Sequence, residues 1–453
     1  MRKKRLFGTC GIRGPIKNKV TPELIFKLGL ALANYIKGGK VVIARDSRTS
    51  GEMLQHAATA GLLAGGCDVI DIGLAPTPCM AFTTRELGAD AGAMLTASHN
   101  PSTDNGIKFH NQDGMEYLPK QELDIETLLF GKRLKQARWD SLGSVNSYPD
   151  AVSKYVKATA KAVKVKPGFK VVVDCASGAA SVVTPYLLRE LGCRVTSLNS
   201  NPDGHFPGHP LEPQPWNLGD LMRTVKEVGA DVGFAHDGDG DRIVAVDERG
   251  EFVKHDSLIA LFAKRAAEAR KGTVITSINT SVVIEDIVKQ AGSRIVRTKL
   301  GNLHAEMIKH DTIYAGEPGK LIFPEFGRWM DGIFGVGKML ELMTAERKPL
   351  SEIVGEIPDY PMHRENFPCP DERKASFMRG MRKYLLKEVD QVKNTIDIDG
   401  VRVNRANGSW LLVRVSGTEP KARMVLEGRT KGEADKLRKT GRDGIEKLLK
   451  RKK

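Results

Sequence analysis

Long apolar runs are missing from this chain. None approaches the 18 or so residues needed to cross a bilayer, and the opening MRKKRLFGTCGIRG has no apolar stretch behind its basic head, so neither a membrane span nor a secretory leader is expected. Cysteine is sparse. Cys10, Cys67, Cys79, Cys175, Cys193 and Cys369 lie far apart with no CxxC pair, which argues against a disulfide framework or a thiolate zinc site and predicts reduced, mostly buried thiols. Aromatics make up 6% of the residues, too few to interleave with basic side chains in a base-stacking surface, and low-complexity tracts are absent. The net charge of +15 is diffuse, and its densest runs, Arg2–Arg5 and Lys450–Lys453, stand at the ends of the sequence as solvated tails. The expectation is a cytoplasmic enzyme with neither nucleic acid nor membrane as partner.

What is present is an ordinary globular composition, 41% hydrophobic and 28% charged, in 453 residues. That length suggests three or four domains at about 150 residues each. One pattern recurs three times: GKVVIARDSRTSG from Gly39 leads to GGCDVIDIG, GFKVVVDCASGAAS from Gly168 leads to LLRELGCRVTSLN, and KGTVITSINTSVV from Lys271 leads to IVKQAGSRIVRTKLG. Each is a Val/Ile run, a small-residue turn, a helical stretch and a second Val/Ile run. That is a βαβ unit, whose parallel strands need a crossover helix. Linkers are expected at Val145–Asp150, near Glu248–Glu251, and at Pro358–Pro370 with its four prolines. The final 90 or so residues alternate strand-like segments with Gly turns and close on an amphipathic helix, a small α+β domain. The expected fold class is therefore α/β, with domains at 1–149, 150–250, 251–361 and 362–453.

Four motifs carry chemistry. In FAHDGDGDRIVAV, Asp237, Asp239 and Asp241 repel one another unless something positive sits among them, and the intervening glycines let the backbone curl them onto one divalent cation. A calcium loop of the EF-hand type is disfavoured, because its sixth position needs Gly and holds Arg242, and because IVAVD reads as strand rather than exiting helix. An arginine beside the aspartates favours magnesium with a phosphate, which Arg grips in a fork. In LTASHNPSTDNGIK, Ser98 stands after an apolar strand-like run, where open α/β sheets place ligands and where a serine can act as nucleophile or phosphate carrier. In RVSGTEPKAR, a Ser-Gly-Thr turn between Arg414 and Arg423 suits a phosphate dianion. In GEPGKLIF, Glu317 on a tight loop offers a carboxylate to sugar hydroxyls.

Taken together, FGTCGIRG, TASHNP, DGDGDR, GEPGK and RVSGTEPKAR resemble, in order and spacing and over essentially the whole chain, the α-D-phosphohexomutase family. The resemblance implies three related α/β domains with mixed sheets plus a smaller α+β C-terminal domain around a central cleft. It implies transfer of phosphate between C6 and C1 of a hexose phosphate through a phosphoserine and a bisphosphorylated sugar, with Mg²⁺ as cofactor and a hexose 1,6-bisphosphate as primer. Residue by residue, Ser98 matches the phosphoserine, and Asp237, Asp239 and Asp241 match the metal ligands, joined by an oxygen of Ser98. Arg13, His99 and Lys108 match positions around that serine. Arg242 matches a substrate-proximal arginine, Thr298 and Gly301 a sugar-binding loop, and Glu317 the sugar-reading glutamate. Arg414, Ser416, Gly417, Thr418 and Arg423 match the clamp for the phosphate that stays in place. One departure stands out: many members read GE-x-SGH where this chain reads GEPGK, one residue shorter and with Lys320 near the histidine position of the sugar loop. Glucosamine phosphate is the favoured substrate, with phosphomannomutase or phosphoglucomutase activity as the alternative, in a monomer or homodimer.

Overall fold

The computed structural model describes residues 6–8, 10–131, 134–417 and 419–450. It forms two compact units, Met1–Leu258 with Gly319–Glu356, and Ile259–Pro318 with Ile357–Lys453. Among the described residues no helix is long and apolar enough to cross a membrane. All six cysteines are free, four of them buried.

The first unit holds two mixed sheets. One contains β1 (Ile12–Pro15), β2 (Gly39–Arg45), β3 (Cys67–Leu74), β4 (Ala91–Leu95), β5 (Asp104–Asn111) and β6 (Val145–Ser147), in the order β1-β5-β4-β2-β3-β6. Strand β2 runs parallel to β3 and β4, and β5 runs antiparallel to β4 and β1. Val41, Val42, Ile43 and Ala44 are all buried, the continuous apolar run of a central parallel strand covered on both faces. The second sheet contains β7 (Lys170–Asp174), β8 (Arg194–Leu198), β9 (Val232–Ala235) and β10 (Val244–Asp247), in the order β10-β9-β7-β8. Its β7 is parallel to β8 and β9, while β10 folds back antiparallel on β9.

In the second unit, β11 (Thr273–Ser277) pairs in parallel with both β12 (Arg294–Thr298) and β13 (Thr312–Glu317). A short strand β14 (Lys320–Ile322) belongs to the first unit. The chain ends in a five-stranded antiparallel sheet of β15 (Met362–Pro368), β16 (Val392–Ile396), β17 (Val401–Arg405), β18 (Trp410–Val415) and β19 (Lys421–Glu427), ordered β15-β19-β18-β17-β16. Helices Lys374–Glu388 and Lys431–Lys450 cover one face through Phe377, Met381, Leu411, Met424 and Ile445. On the other face Trp410, Leu412 and Val425 pack with Ile278 and Val282.

The three expected βαβ repeats are thus β2–β3, β7–β8 and β11–β12, each joined by one helix: Gly51–Ala64, Thr184–Glu190 and Val283–Gln290. Two stretches expected as linkers are strands. Val145–Ser147 is the edge strand β6, paired with β3, and the proline-rich Pro358–Pro370 contains β15. Prolines are tolerated there because β15 is an edge strand and Pro368 is its last residue, so the missing N–H breaks no ladder that two neighbours share.

Asp331 ties the first unit together. It caps helix Gly332–Glu346 by accepting from the Phe334 N–H at 2.7 Å, and it also accepts from Tyr155 Oη at 2.6 Å and Trp329 Nε1 at 2.9 Å. Burial pushes its carboxyl up to about 6 despite those three donors. Asp331→Ala leaves three buried donors unmatched and is expected to lower stability by about 1–3 kcal/mol in denaturant titration. Because the acid is weaker in the folded chain, its contribution is full below the unfolded value near 3.8 and fades as pH rises through about 6. Asp331→Asn should therefore flatten the pH dependence of the thermal midpoint between those two values.

Candidate active site

The loop between β9 and β10 carries the aspartates. Asp237, Asp239 and Asp241 are completely buried, with one oxygen of each lying within 4.8 Å of the others. Gly238 permits this curl: a Cβ there would stand 2.6 Å from the Ser98 carbonyl oxygen. Repulsion is relieved by cations from distant strands. Lys108 Nζ of β5 lies 2.6 Å from Asp239 Oδ2 and 2.9 Å from Asp241 Oδ2, and Lys320 Nζ of β14 lies 3.0 Å from Asp241 Oδ2. Thr77 Oγ1 donates to Asp239 Oδ2 at 2.5 Å. Burial alone would raise Asp241, but Lys108, Lys320 and Arg242 hold it well below the usual carboxylate range. Asp237 goes the other way, raised by burial and by its two acidic neighbours. Burial opposes the charge on Lys108 and Lys320, and the aspartates outweigh it, so both stay ammonium. Asp239 Oδ1 and Asp241 Oδ1 remain buried with no hydrogen-bond partner among the described residues. Converging, unprotonated oxygens of this kind fit a hard divalent cation.

Ser98 follows β4 and is fully buried, with φ +51°. Its Oγ donates to Asp237 Oδ2 at 2.5 Å and lies 3.3 Å from His99 Nδ1. His99 Nε2 in turn lies 3.6 Å from Glu212 Oε2, the same oxygen that accepts from Arg242 Nη1. Burial, then Arg242, Arg13 and Lys320, hold His99 far below its usual value, so the imidazole is neutral. Arg13, opposite Gly106 on β5, keeps Nε and Nη2 buried without a hydrogen-bond partner among the described residues. The structure thus gathers Arg13, Ser98, His99, Lys108, Arg242 and the three aspartates within the first unit.

The remaining candidates lie in the second unit. Thr298 ends β12, and the Gly301 N–H donates to Glu317 Oε2 at 2.7 Å. Glu317 is the buried last residue of β13 rather than part of the loop expected from the sequence, since the strand continues through it and the turn begins only at Pro318. Arg414 and Arg423 face each other across β18 and β19, with Arg414 Nε 3.0 Å from Asp399 Oδ2 and Arg423 Nη2 2.5 Å from Glu419 Oε2. Between them Ser416 Oγ accepts from the Glu419 N–H at 3.2 Å, and a Cβ on Gly417 would meet open space. Thr418 lies outside the described residues.

All four domain models of the phosphoglucomutase/phosphomannomutase group match: α/β/α domain I over residues 4–136, domain II over 146–250, domain III over 254–360 and the C-terminal domain over 366–443. The chain belongs to this phosphohexomutase family. It is 44% identical to a phosphopentomutase of Thermococcus kodakarensis, over 98% of this chain and 99% of that one. It is 42% identical to a protein of Methanothermobacter thermautotrophicus named "Probable phosphoglucosamine mutase", over 99% of each. A crystal structure of a phosphoglucomutase/phosphomannomutase family protein from Burkholderia thailandensis superposes with TM-score 0.88 at 25% identity, covering 98% of this chain and 97% of that one.

Three residues of this mutase's site were not found from sequence: Thr77, Glu212 and, in its observed place, Lys320. Lys320 was expected beside the sugar-reading loop; instead its ammonium neutralises Asp241, because Lys320 bridges to Arg242 and the Ile243 N–H donates to the Gly319 carbonyl, which turns the side chain onto the aspartates. Only the acidic cluster itself could have signalled the need for such a partner. For the cluster as a cation site, the expected outcome is one Mn²⁺ bound per chain by electron paramagnetic resonance, with Asp239→Asn weakening Kd at least about tenfold, or 1.4 kcal/mol.

Proposed function

We propose that the chain is a phosphoglucosamine mutase, interconverting glucosamine 6-phosphate and glucosamine 1-phosphate. The observation that carries the reading is the buried Ser98 hydroxyl, hydrogen-bonded to one aspartate of a cluster that two ammoniums neutralise. In the proposed cycle the P–Oγ bond of phosphorylated Ser98 breaks as the free sugar hydroxyl oxygen takes the phosphoryl group, and the hydroxyl proton ends on Ser98 Oγ. The bisphosphate reverses, its other phosphate returns to Ser98 Oγ, and that proton moves back to the vacated sugar oxygen. A hexose 1,6-bisphosphate would prime the serine. Mg²⁺ bound by Asp237, Asp239, Asp241 and a Ser98 oxygen would neutralise charge on the transferring group.

The protein's own groups support this division of labour. Lys108 and Arg13 place fixed positive charge near the serine, and neutral His99 offers a hydrogen bond without adding charge. Arg242 stands beside them for the substrate. In the second unit Thr298, Gly301 and Glu317 would read sugar hydroxyls, while Arg414, Ser416, Gly417, Thr418 and Arg423 would hold the phosphate not in transfer. The four family-model matches agree with reading the chain as domains at 1–149, 150–250, 251–361 and 362–453.

A second reading, pentose phosphate as substrate, is favoured by the relative named phosphopentomutase at 44% identity. Initial rates with Mg²⁺ and a trace of the matching bisphosphate, on glucosamine, mannose, glucose and ribose 1-phosphates side by side, separate these readings. Glucosamine 1-phosphate is expected to give the highest kcat/KM; preference for ribose installs the second reading, and preference for mannose or glucose makes the chain a phosphomannomutase or phosphoglucomutase. Ser98→Ala is expected to abolish turnover on all four, and unchanged turnover would remove Ser98 from the mechanism.

A further inference from the structure

Arg48 has no part in the chemistry above, yet its side chain is almost wholly buried, at 1% exposure. A guanidinium has five N–H donors, and here all five are used. Nε donates to Asp46 Oδ2 at 3.1 Å, Nη1 to the Pro101 and Asp104 carbonyls at 2.5 and 2.8 Å, and Nη2 to the Ser98 and Asn100 carbonyls at 2.9 and 2.7 Å. One side chain therefore holds three carbonyls of the loop that carries Ser98 and the carbonyl of Asp104, where β5 begins. The other side of Ser98 is held through the same carboxylate: the Ser98 N–H donates to Thr96 Oγ1 at 2.8 Å, and Thr96 Oγ1 donates to Asp46 Oδ2 at 2.6 Å. Phe206 packs 5.2 Å from the guanidinium and completes its enclosure.

This network fixes an unfavourable conformation. A serine at φ +51° costs of order 1–3 kcal/mol and persists only where its surroundings over-determine it. Both peptide groups flanking Ser98 are tied to Asp46, directly through Arg48 and through Thr96, so the Oγ direction is set by the backbone and not by side-chain packing alone. Lysine cannot reproduce this, since a single ammonium with three donors cannot reach a carboxylate and four carbonyls at once.

We propose that Arg48, with Asp46 and Thr96, is the positioning residue for the Ser98 hydroxyl in phosphoryl transfer. The proposal rests on Ser98 being the phosphoserine, and it goes beyond that by naming what aims it. Loss of the clamp should misdirect Oγ while leaving phosphate recognition by the second unit intact. The full chain is tested with Mg²⁺ and glucose 1,6-bisphosphate, following phosphate arrival on Ser98 by intact-protein mass in a single turnover, alongside steady-state kcat and KM. Arg48→Lys that keeps the wild-type circular dichroism is expected to lose at least about tenfold in both Ser98 loading and kcat, with KM within about threefold. Loading and kcat within about twofold of wild type, or a loss confined to KM, would overturn the proposal. If Arg48→Lys does not fold, Thr96→Val and Thr96→Ser decide: the first keeps shape without the hydroxyl and should slow loading, the second should restore it, and equal loading by the two overturns the proposal. Ser98→Ala with wild-type turnover would instead sink the phosphoserine reading and this proposal with it.

Discussion

Burying three aspartates in one eight-residue loop is the constraint on which the first unit depends. Within 4.8 Å of one another, and with an effective dielectric of about 20, any two of these carboxylates would repel by at least about 3.5 kcal/mol when both are ionised. A loop cannot relieve that from within. Lys108 has to arrive from β5 of the other sheet and Lys320 from β14, after an excursion through the second unit, before Asp239 and Asp241 can stay ionised. The mixed topology of the first sheet has the same root: β5 turns antiparallel between β4 and β1, which sets Lys108 opposite Met94 and Arg13 opposite Gly106. Four carboxylates (Asp237, Asp239, Asp241 and Glu212) are then met by four cations (Arg13, Lys108, Lys320 and Arg242). A divalent cation and a phosphoryl dianion would enter such a site as a neutral pair.

The sequence made one side of this balance plain and hid the other. Aspartates two residues apart with glycines between them are a local pattern, and so is the Val/Ile, turn, helix, Val/Ile rhythm that located the three βαβ repeats. The family resemblance of NGIK places Lys108 near Ser98, and the structure agrees because β5 follows β4 closely and pairs with it. Lys320 could not be set beside the aspartates in this way, since its partner lies 79 residues away and the intervening chain builds β11 to β13. Proline density marked a boundary, since the two units part between Glu356 and Ile357, but it did not show that Met362–Pro368 is a strand. It reports that the chain cannot sit in the middle of a sheet, and an edge strand such as β15 satisfies that condition as well as a linker does.

The second unit shows the same economy in a form that was legible. A tight turn after Val415 puts Arg414 directly across from Arg423, an arrangement that like charges on facing strands normally disfavour. Asp399 and Glu419 each engage one guanidinium, and Lys374 Nζ fixes the turn by donating to the carbonyls of Ser416 and Glu419 at 2.6 and 2.7 Å. Under the proposed function these two guanidiniums, with Gly417 and its open space between them, would hold the phosphate not in transfer. The pattern RVSGTEPKAR revealed this because a hairpin pairs residues by their distance from the turn. No comparable rule connects Arg48 to Ser98, which are linked only through carbonyl groups that every residue possesses.

The hydrogen bond between Ser98 and Asp237 carries the last consequence. In the hydroxyl form the proton lies between Oγ and a carboxylate oxygen 2.5 Å away. Esterifying Oγ removes that proton and sets the carboxylate against an ester oxygen inside a buried site, where neither can turn to water. A cation held by the aspartates would supply the positive charge that the lost proton carried. Under the proposed chemistry, metal binding and Ser98 phosphorylation therefore stabilise each other, and by linkage the phosphorylated chain holds its cation more tightly than the free serine form by the same factor that the cation favours the phosphoserine. The burial of Ser98 away from water, which looks like an obstacle to a nucleophile, is what makes that coupling strong.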